Sequence, residues 1–376
     1  MTKKERLWAV YKGEEPDRIP VKLWGLDKNQ GMMHPAYQKV YDLAIEKTDL
    51  IGGAGSPMDI YCGMNGGDVY TWHTEPYNED WTSHITMIKT ASGDLKNIFL
   101  SNNKGHPGLN KEYYIKTPED IKKILSLKYD PFPINLTDYE QAIERMGDDG
   151  IVMFGLHHPA YMFYNLTGSE TLGYLLYDAP DLVEEAIYTF SKRINGFLRG
   201  IVDAGISKYG PFTVAYVGPE LLIPPLVSFE MFDKLVFDMD KPNLDIVKNA
   251  GGYVWVHCHG KTGKLISRFA EMGVDILNPI EPPPMGDCDI DAAIKAAGGR
   301  ITLEGNIEIN DIINQDEEYI ISFLENTVKK GSAYKRFILC PSAGYMEYIQ
   351  PSEKYINNLI TYINYGVEFS KKYAGL

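Results

Sequence analysis

From about residue 150 onward, short apolar runs alternate with longer stretches of helical periodicity. The runs at Ile151–Gly155, Thr213–Val217, Tyr253–His257, Asp275–Ile280, Arg300–Glu304 and Arg336–Cys340 read as strands. Alternating strands and helices imply right-handed crossovers and a parallel sheet. A Pro-flanked strand through Arg18–Trp24 and another at Asp49–Gly53 bring the count to about eight, which favours a closed barrel over an open sheet. The expected fold is therefore α/β, a (β/α)8 TIM barrel. An amphipathic helix over about residues 2–12 precedes it. Period-two alternation in Ser83–Ile88, a Ser92–Gly93 turn and the run Leu95–Leu100 predict a β-hairpin, read as an N-terminal insertion over about residues 60–115 that caps one end of the barrel. No linker or low-complexity stretch interrupts residues 1–376, so a single domain is expected.

Composition narrows the function. A net charge of −14 disfavours nucleic acid and anionic membrane as partners, since phosphate binding needs the opposite sign. No apolar run approaches the length of about 18 residues that spans a bilayer. Cys62, Cys258, Cys288 and Cys340 have no paired spacing and read as free thiols of a reducing compartment. The start, Met1 to Arg6, is charged with no apolar stretch behind it, which predicts no secretion signal and a cytoplasmic protein.

In parallel barrels chemistry collects where strands end and the following loops begin. Here those ends read Val256-His257-Cys258-His259-Gly260, Pro279-Ile280-Glu281-Pro282, Leu303-Glu304-Gly305-Asn306 and Leu339-Cys340-Pro341-Ser342. Strand alternation puts His257 and His259 on one face and turns Cys258 away. Two imidazoles, Glu281 at the next strand end and the Cys340 thiolate would suit Zn²⁺ with one position left open. A structural reading competes for each residue: a hydrogen-bonded histidine, a turn-capping Glu281, a core Cys340. Glu304 is a candidate pocket acid, able also to brace the loop backbone or to ligate. His157, Tyr161 and Tyr216 at neighbouring strand ends, with Trp24, are candidate substrate contacts, and Asp59 a candidate catalytic acid.

The chain resembles the uroporphyrinogen decarboxylase superfamily. The resemblance is carried in order by Glu5-Arg6, Asp17-Arg18-Ile19-Pro20-Val21, Tyr114–Asp120, Pro224–Ser228, His257–Gly260, Glu271–Asp275 and Gly305-Asn306. It implies a (β/α)8 barrel and one of two activities. The decarboxylases act without metal, through an arginine-rich stretch after the first strand and a later aspartate; here Val21–Lys28 holds no arginine, while Asp59 matches the aspartate in placement. The methyltransferase branch serves corrinoid proteins and binds zinc through a His-x-Cys strand end and a later cysteine. His259 stands at the first cysteine's place and Ala343 at the second's, with Cys340 three residues earlier as a substitute. Glu281 matches the placement of a glutamate in cobalamin-independent methionine synthase, a distant relative.

The resulting expectation is a zinc-dependent methyltransferase. It would move a methyl group between a small methylated, methoxyaromatic-type donor and a cobalamin-binding partner protein, with the cobalamin carried by the partner. The 26 tyrosines suit an aromatic donor but also an ordinary core. Catalysis would fall to His257, Glu281 and Asp59, and zinc to His257, His259, Glu281 and Cys340. The alternative is a uroporphyrinogen-decarboxylase-like carboxy-lyase. The oligomeric state is left open, a homodimer among the options.

Overall fold

The computed structural model describes residues 1–28, 33–55, 60, 62–64, 70–344 and 349–375. In chain order its strands are β1 (Leu50–Ala54), β2 (Tyr70–Pro76), β3 (Trp81–Ile88), β4 (Leu95–Asn102), β5 (Leu109–Glu112), β6 (Gly150–His157), β7 (Thr213–Val217), β8 (Tyr253–His257), β9 (Ile276–Ile280), β10 (Thr302–Ile307) and β11 (Phe337–Pro341). Two sheets form. β1-β6-β7-β8-β9-β10-β11 is a seven-stranded sheet in which every neighbouring pair is parallel. Helices cross between its successive strands, as the alternating pattern requires. β2-β3-β4-β5 is an antiparallel meander. The predicted hairpin is its middle pair, extended by a strand on each side.

The sheet curls like a TIM barrel. Its first and last strands are linked through Pro20–Lys22: the Lys22 N–H donates to the Leu339 carbonyl and the Leu339 N–H to the Pro20 carbonyl, both at 2.9 Å. On the other side the Asp49 N–H donates to the Val21 carbonyl at 2.8 Å. The predicted strand over Arg18–Trp24 is reduced to a single bridge, Val21 with Leu339. Pro20 has no N–H to extend the ladder.

Alternation along the strands divides the apolar residues into two cores. Val214, Tyr216, Val254, Val256 and Leu277 pack outward beneath the helices. Ile151, Ala215, Trp255, Ile276 and Ile338 pack inward. The helix α1 (Lys3–Lys12), started by a Thr2/Glu5 capping box, feeds Leu7, Trp8, Val10 and Tyr11 into the inward core. Trp8 and Tyr11 pack their rings on Tyr253 at 5.5 and 5.8 Å, and the Thr302 hydroxyl bonds the Val10 carbonyl. The helix thus stops the barrel at the end where strands begin. Among the described residues no helix is long and apolar enough to cross a membrane.

Candidate active site

At the opposite end, the inward residues near the strand ends are polar. Glu304 on β10, fully buried, accepts from Lys22 Nζ at 2.6 Å and Asn278 Nδ2 at 2.7 Å through one oxygen, and from Trp255 Nε1 at 3.0 Å through the other. Lys22 is the ion-pair partner of this carboxylate. Burial alone would lower the Lys22 pKa, but Glu304 raises it above the ordinary value. The Asn278 amide hands its NH2 to Glu304, so its carbonyl oxygen faces His257 Nδ1 at 2.7 Å. That oxygen can only accept, hence Nδ1 carries the proton and Nε2 the lone pair. Burial first, then the His259 and Lys22 charges, push the His257 pKa down to about 3. Its ring lies against Trp24, centroids 4.4 Å apart and planes 18° apart.

One step further out, His259 sits edge-on to His257, with ring centroids 4.6 Å apart. Its Nδ1 bonds Glu281 Oε1 at 2.8 Å, while the Gly260 N–H bonds Glu281 Oε2 at 2.7 Å. Two further carboxylates act on this imidazole, Glu220 after β7 and Glu308 after β10. Burial opposes the charge on His259, yet Glu281, Glu220 and Glu308 together raise its pKa. Glu308 is 4% exposed; its Oε2 accepts from Ser342 Oγ at 3.1 Å and its Oε1 has no hydrogen-bond partner. Burial and then the Glu281 charge push it up to about 7. Glu220 is raised mainly by burial, and its Oε2 is likewise buried and unbonded.

The predicted residues divide clearly. His257, His259, Glu281 and Trp24 meet at this site. His157 stacks on Tyr161, centroids 4.9 Å apart, its pKa lowered by burial and by His158. Tyr216, expected to contact substrate, is corrected: alternation sends Ala215 and Val217 inward and Tyr216 outward, where it is wholly buried against His158. Glu304, also expected in the pocket, is fully buried with both oxygens engaged and braces Asn278. Asp59 lies outside the described residues.

Of the four residues expected to hold zinc, His257, His259 and Glu281 adjoin one another but are not set around a common point. Both Glu281 oxygens are engaged by His259 and Gly260. Cys340 is fully buried in the strand layer, where burial pushes its thiol well up and the nearby charges are Lys22 and Glu304. Among the described residues, no three His, Cys, Asp or Glu side chains are grouped to hold an ion. Sequence reasoning missed Lys22, Asn278, Glu220 and Glu308. The period-two series Glu304, Asn306, Glu308 was the available sign of the last; Glu220, in a short 3-10 turn, left none.

Comparison with known proteins adds the following. The family profile for uroporphyrinogen decarboxylase matches residues 98–354. A methyltransferase from Methanosarcina mazei is similar in structure, with TM-score 0.57 and 14% identity over 97% of this chain and 98% of that one. The tandem GH20 modules of a pneumococcal exo-β-D-N-acetylglucosaminidase give TM-score 0.41 and 10% identity over 95% and 86%. A Bacteroides ovatus GH5 xyloglucanase gives 0.37 and 12% over 61% and 59%. No curated protein sequence matches.

Proposed function

Because the chain belongs to the uroporphyrinogen decarboxylase family, we propose that it is a methyltransferase, moving a methyl group between a small methylated donor and a corrinoid-binding partner protein. In this reading it is one (β/α)8 barrel domain with β2–β5 as an insertion. The observation that carries the reading is the sign of charge at the mouth. A decarboxylase for a multiply carboxylated porphyrinogen needs cations to hold its substrate. Here the cation of the Val21–Lys28 stretch that enters the barrel, Lys22, is buried and paired with Glu304, while Glu220, Glu281 and Glu308 surround His259. Such a mouth repels a polyanion. The fold shared with a methyltransferase agrees with this choice.

The residues have distinct tasks in this mechanism. Lys22, Glu304 and Asn278 hold His257 as a neutral ring whose Nε2 accepts from a polar group or water at the donor. Trp24 keeps that ring in plane. Glu281 fixes the orientation of His259 and favours its charged form. No step is routed through zinc, since both Glu281 oxygens are bonded by His259 and Gly260 and Cys340 is buried beside Lys22 and Glu304.

The test is incubation with a cobalt(I) corrinoid protein and a panel of methylated compounds, followed through the corrinoid absorption spectrum. Donor-dependent methylation that fails in His257→Ala supports the proposal. Decarboxylation of a porphyrinogen by the same protein, with no methylation, would overturn it.

A further inference from the structure

We propose that the outer edge of β2 is a self-pairing surface, on which a second copy of this chain lays its own β2 antiparallel, so that the two four-stranded meanders join into one sheet. The inference concerns assembly and stands apart from the methyltransferase reading. It begins from exposure. Among the described residues β2 pairs only with β3. Every residue from Thr71 to Pro76 is exposed, and the Trp72 ring stands 65% open to solvent. A long open edge is a template for another strand unless a short length, lysine or proline blunts it. The opposite edge, β5, is four residues long and carries Lys111. β2 is seven residues long and holds no lysine or arginine.

The second observation is the direction of the backbone. The Tyr77 N–H donates to the Trp81 carbonyl at 2.9 Å, which continues the β2–β3 register by one residue. Backbone groups alternate sides along a strand. Thr71, His73 and Glu75 therefore turn theirs to β3, while Trp72, Thr74 and Pro76 turn theirs to the open edge. Pro76 fits that side, where its missing N–H takes nothing from the β2–β3 ladder. It closes β2 and sets where the pairing stops.

The third observation is self-complementarity. A two-fold axis perpendicular to the sheet sets one residue of β2 against its own copy. Centred on Thr74, it lets the two Thr74 backbones exchange hydrogen bonds and aims each Trp72 N–H at the carbonyl of the partner's Pro76. His73 then stands opposite the partner's Glu75 in a non-hydrogen-bonded pair, the closer of the two kinds. Within one chain these side chains already meet, Nε2 to Oε2 at 3.5 Å, so two imidazoles and two carboxylates alternate around the axis. Opposite charges across strands stabilise a pair, and like charges directly opposite destabilise it. Moving the axis to His73 opposes the two imidazoles, and moving it to Glu75 opposes the two carboxylates. On the other face Trp72, His84 and Phe99 form an aromatic row, with centroids 5.9 and 6.1 Å apart. The seam covers the exposed end of that row by setting Trp72 across from the partner's Pro76.

The experiment is sedimentation equilibrium of the full chain over a concentration series, with circular dichroism to verify folding. The wild type is expected to be a dimer that dissociates on dilution. His73→Glu opposes carboxylates on both sides of the axis and should weaken the dimer by at least about tenfold. The swap of His73→Glu with Glu75→His should restore it to within about threefold of the wild type. Thr74→Pro removes the central N–H donors from the open edge and should leave a folded monomer. A folded wild type that stays monomeric at every concentration overturns the proposal, and so does a dimer that His73→Glu leaves intact. A loss in His73→Glu that the swap does not restore also overturns it, because the two side chains then do not face each other across the seam.

Discussion

Asn278 accepts a 2.7 Å hydrogen bond from His257 Nδ1 in the one amide orientation open to it, because its NH2 is committed to Glu304. The tautomer of the ring at the centre of the site is thus dictated from two residues away, by a carboxylate that is itself fully buried.

His257 should therefore stay neutral, with its proton on Nδ1, across the range from about pH 5 to 8 in which an ordinary histidine titrates. His259, raised by its carboxylates, should titrate above the ordinary value. Nitrogen-15 NMR of labelled imidazoles reads both; a His257 that titrates near 6.5 would refute the network.

Replacing Lys22 by Met strands a buried carboxylate. A loss of about 3–5 kcal/mol is expected by chemical denaturation. The double variant Lys22→Met with Glu304→Gln should recover part of it, because the uncompensated charge is gone. Equal losses in the single and double variants would show that packing, not charge, sets the effect.

Glu308 has a folded-state pKa near 7, above its value in an unfolded chain. The fold therefore prefers the protonated carboxyl, and this contribution to stability is full below about pH 4.5 and is lost as pH climbs to about 7. Glu308→Gln should raise the melting temperature at pH 8, by an amount corresponding to roughly 1–3 kcal/mol, and leave it nearly unchanged at pH 4.5.

Zinc should be well below one per chain after anaerobic purification and zinc supplementation, as measured by plasma mass spectrometry. About one zinc per chain, lost in both His257→Ala and Glu281→Ala, would restore the ligand set expected from sequence.

Tyr216→Phe removes a hydroxyl that is buried and unbonded in the layer beneath the helices. Stability should hold or rise by up to about 1 kcal/mol, and donor affinity should not change. A lost affinity would mean that the ring does reach the pocket.

Much of the fold was legible because its signals are local. Thr213–Val217 and Tyr253–His257 are strands at the boundaries read from the sequence, and the hairpin Ser83–Leu100 is the core of the meander. The strand at Arg18–Trp24 was overcalled because an apolar run does not reveal what Pro20 does to a ladder. Within the site, His257, His259 and Glu281 could be named from strand ends. Their partnerships could not: a bond between Asn278 and Glu304 depends on register between β9 and β10, and the direction of Tyr216 depends on which side of β7 faces inward. Alternation supplied that side for β8, where the histidines marked it, but not for β7.

Because Trp8 and Tyr11 stop one end of the barrel, a small molecule and a protein that both act at the strand ends must share a single doorway. Traffic through it has to be sequential. In the proposed methyltransferase reading the donor would enter first, the partner would then seat over it, and the spent donor would leave only when the partner departs. Steady-state kinetics should accordingly show an ordered mechanism in which excess partner protein inhibits by docking on the empty barrel.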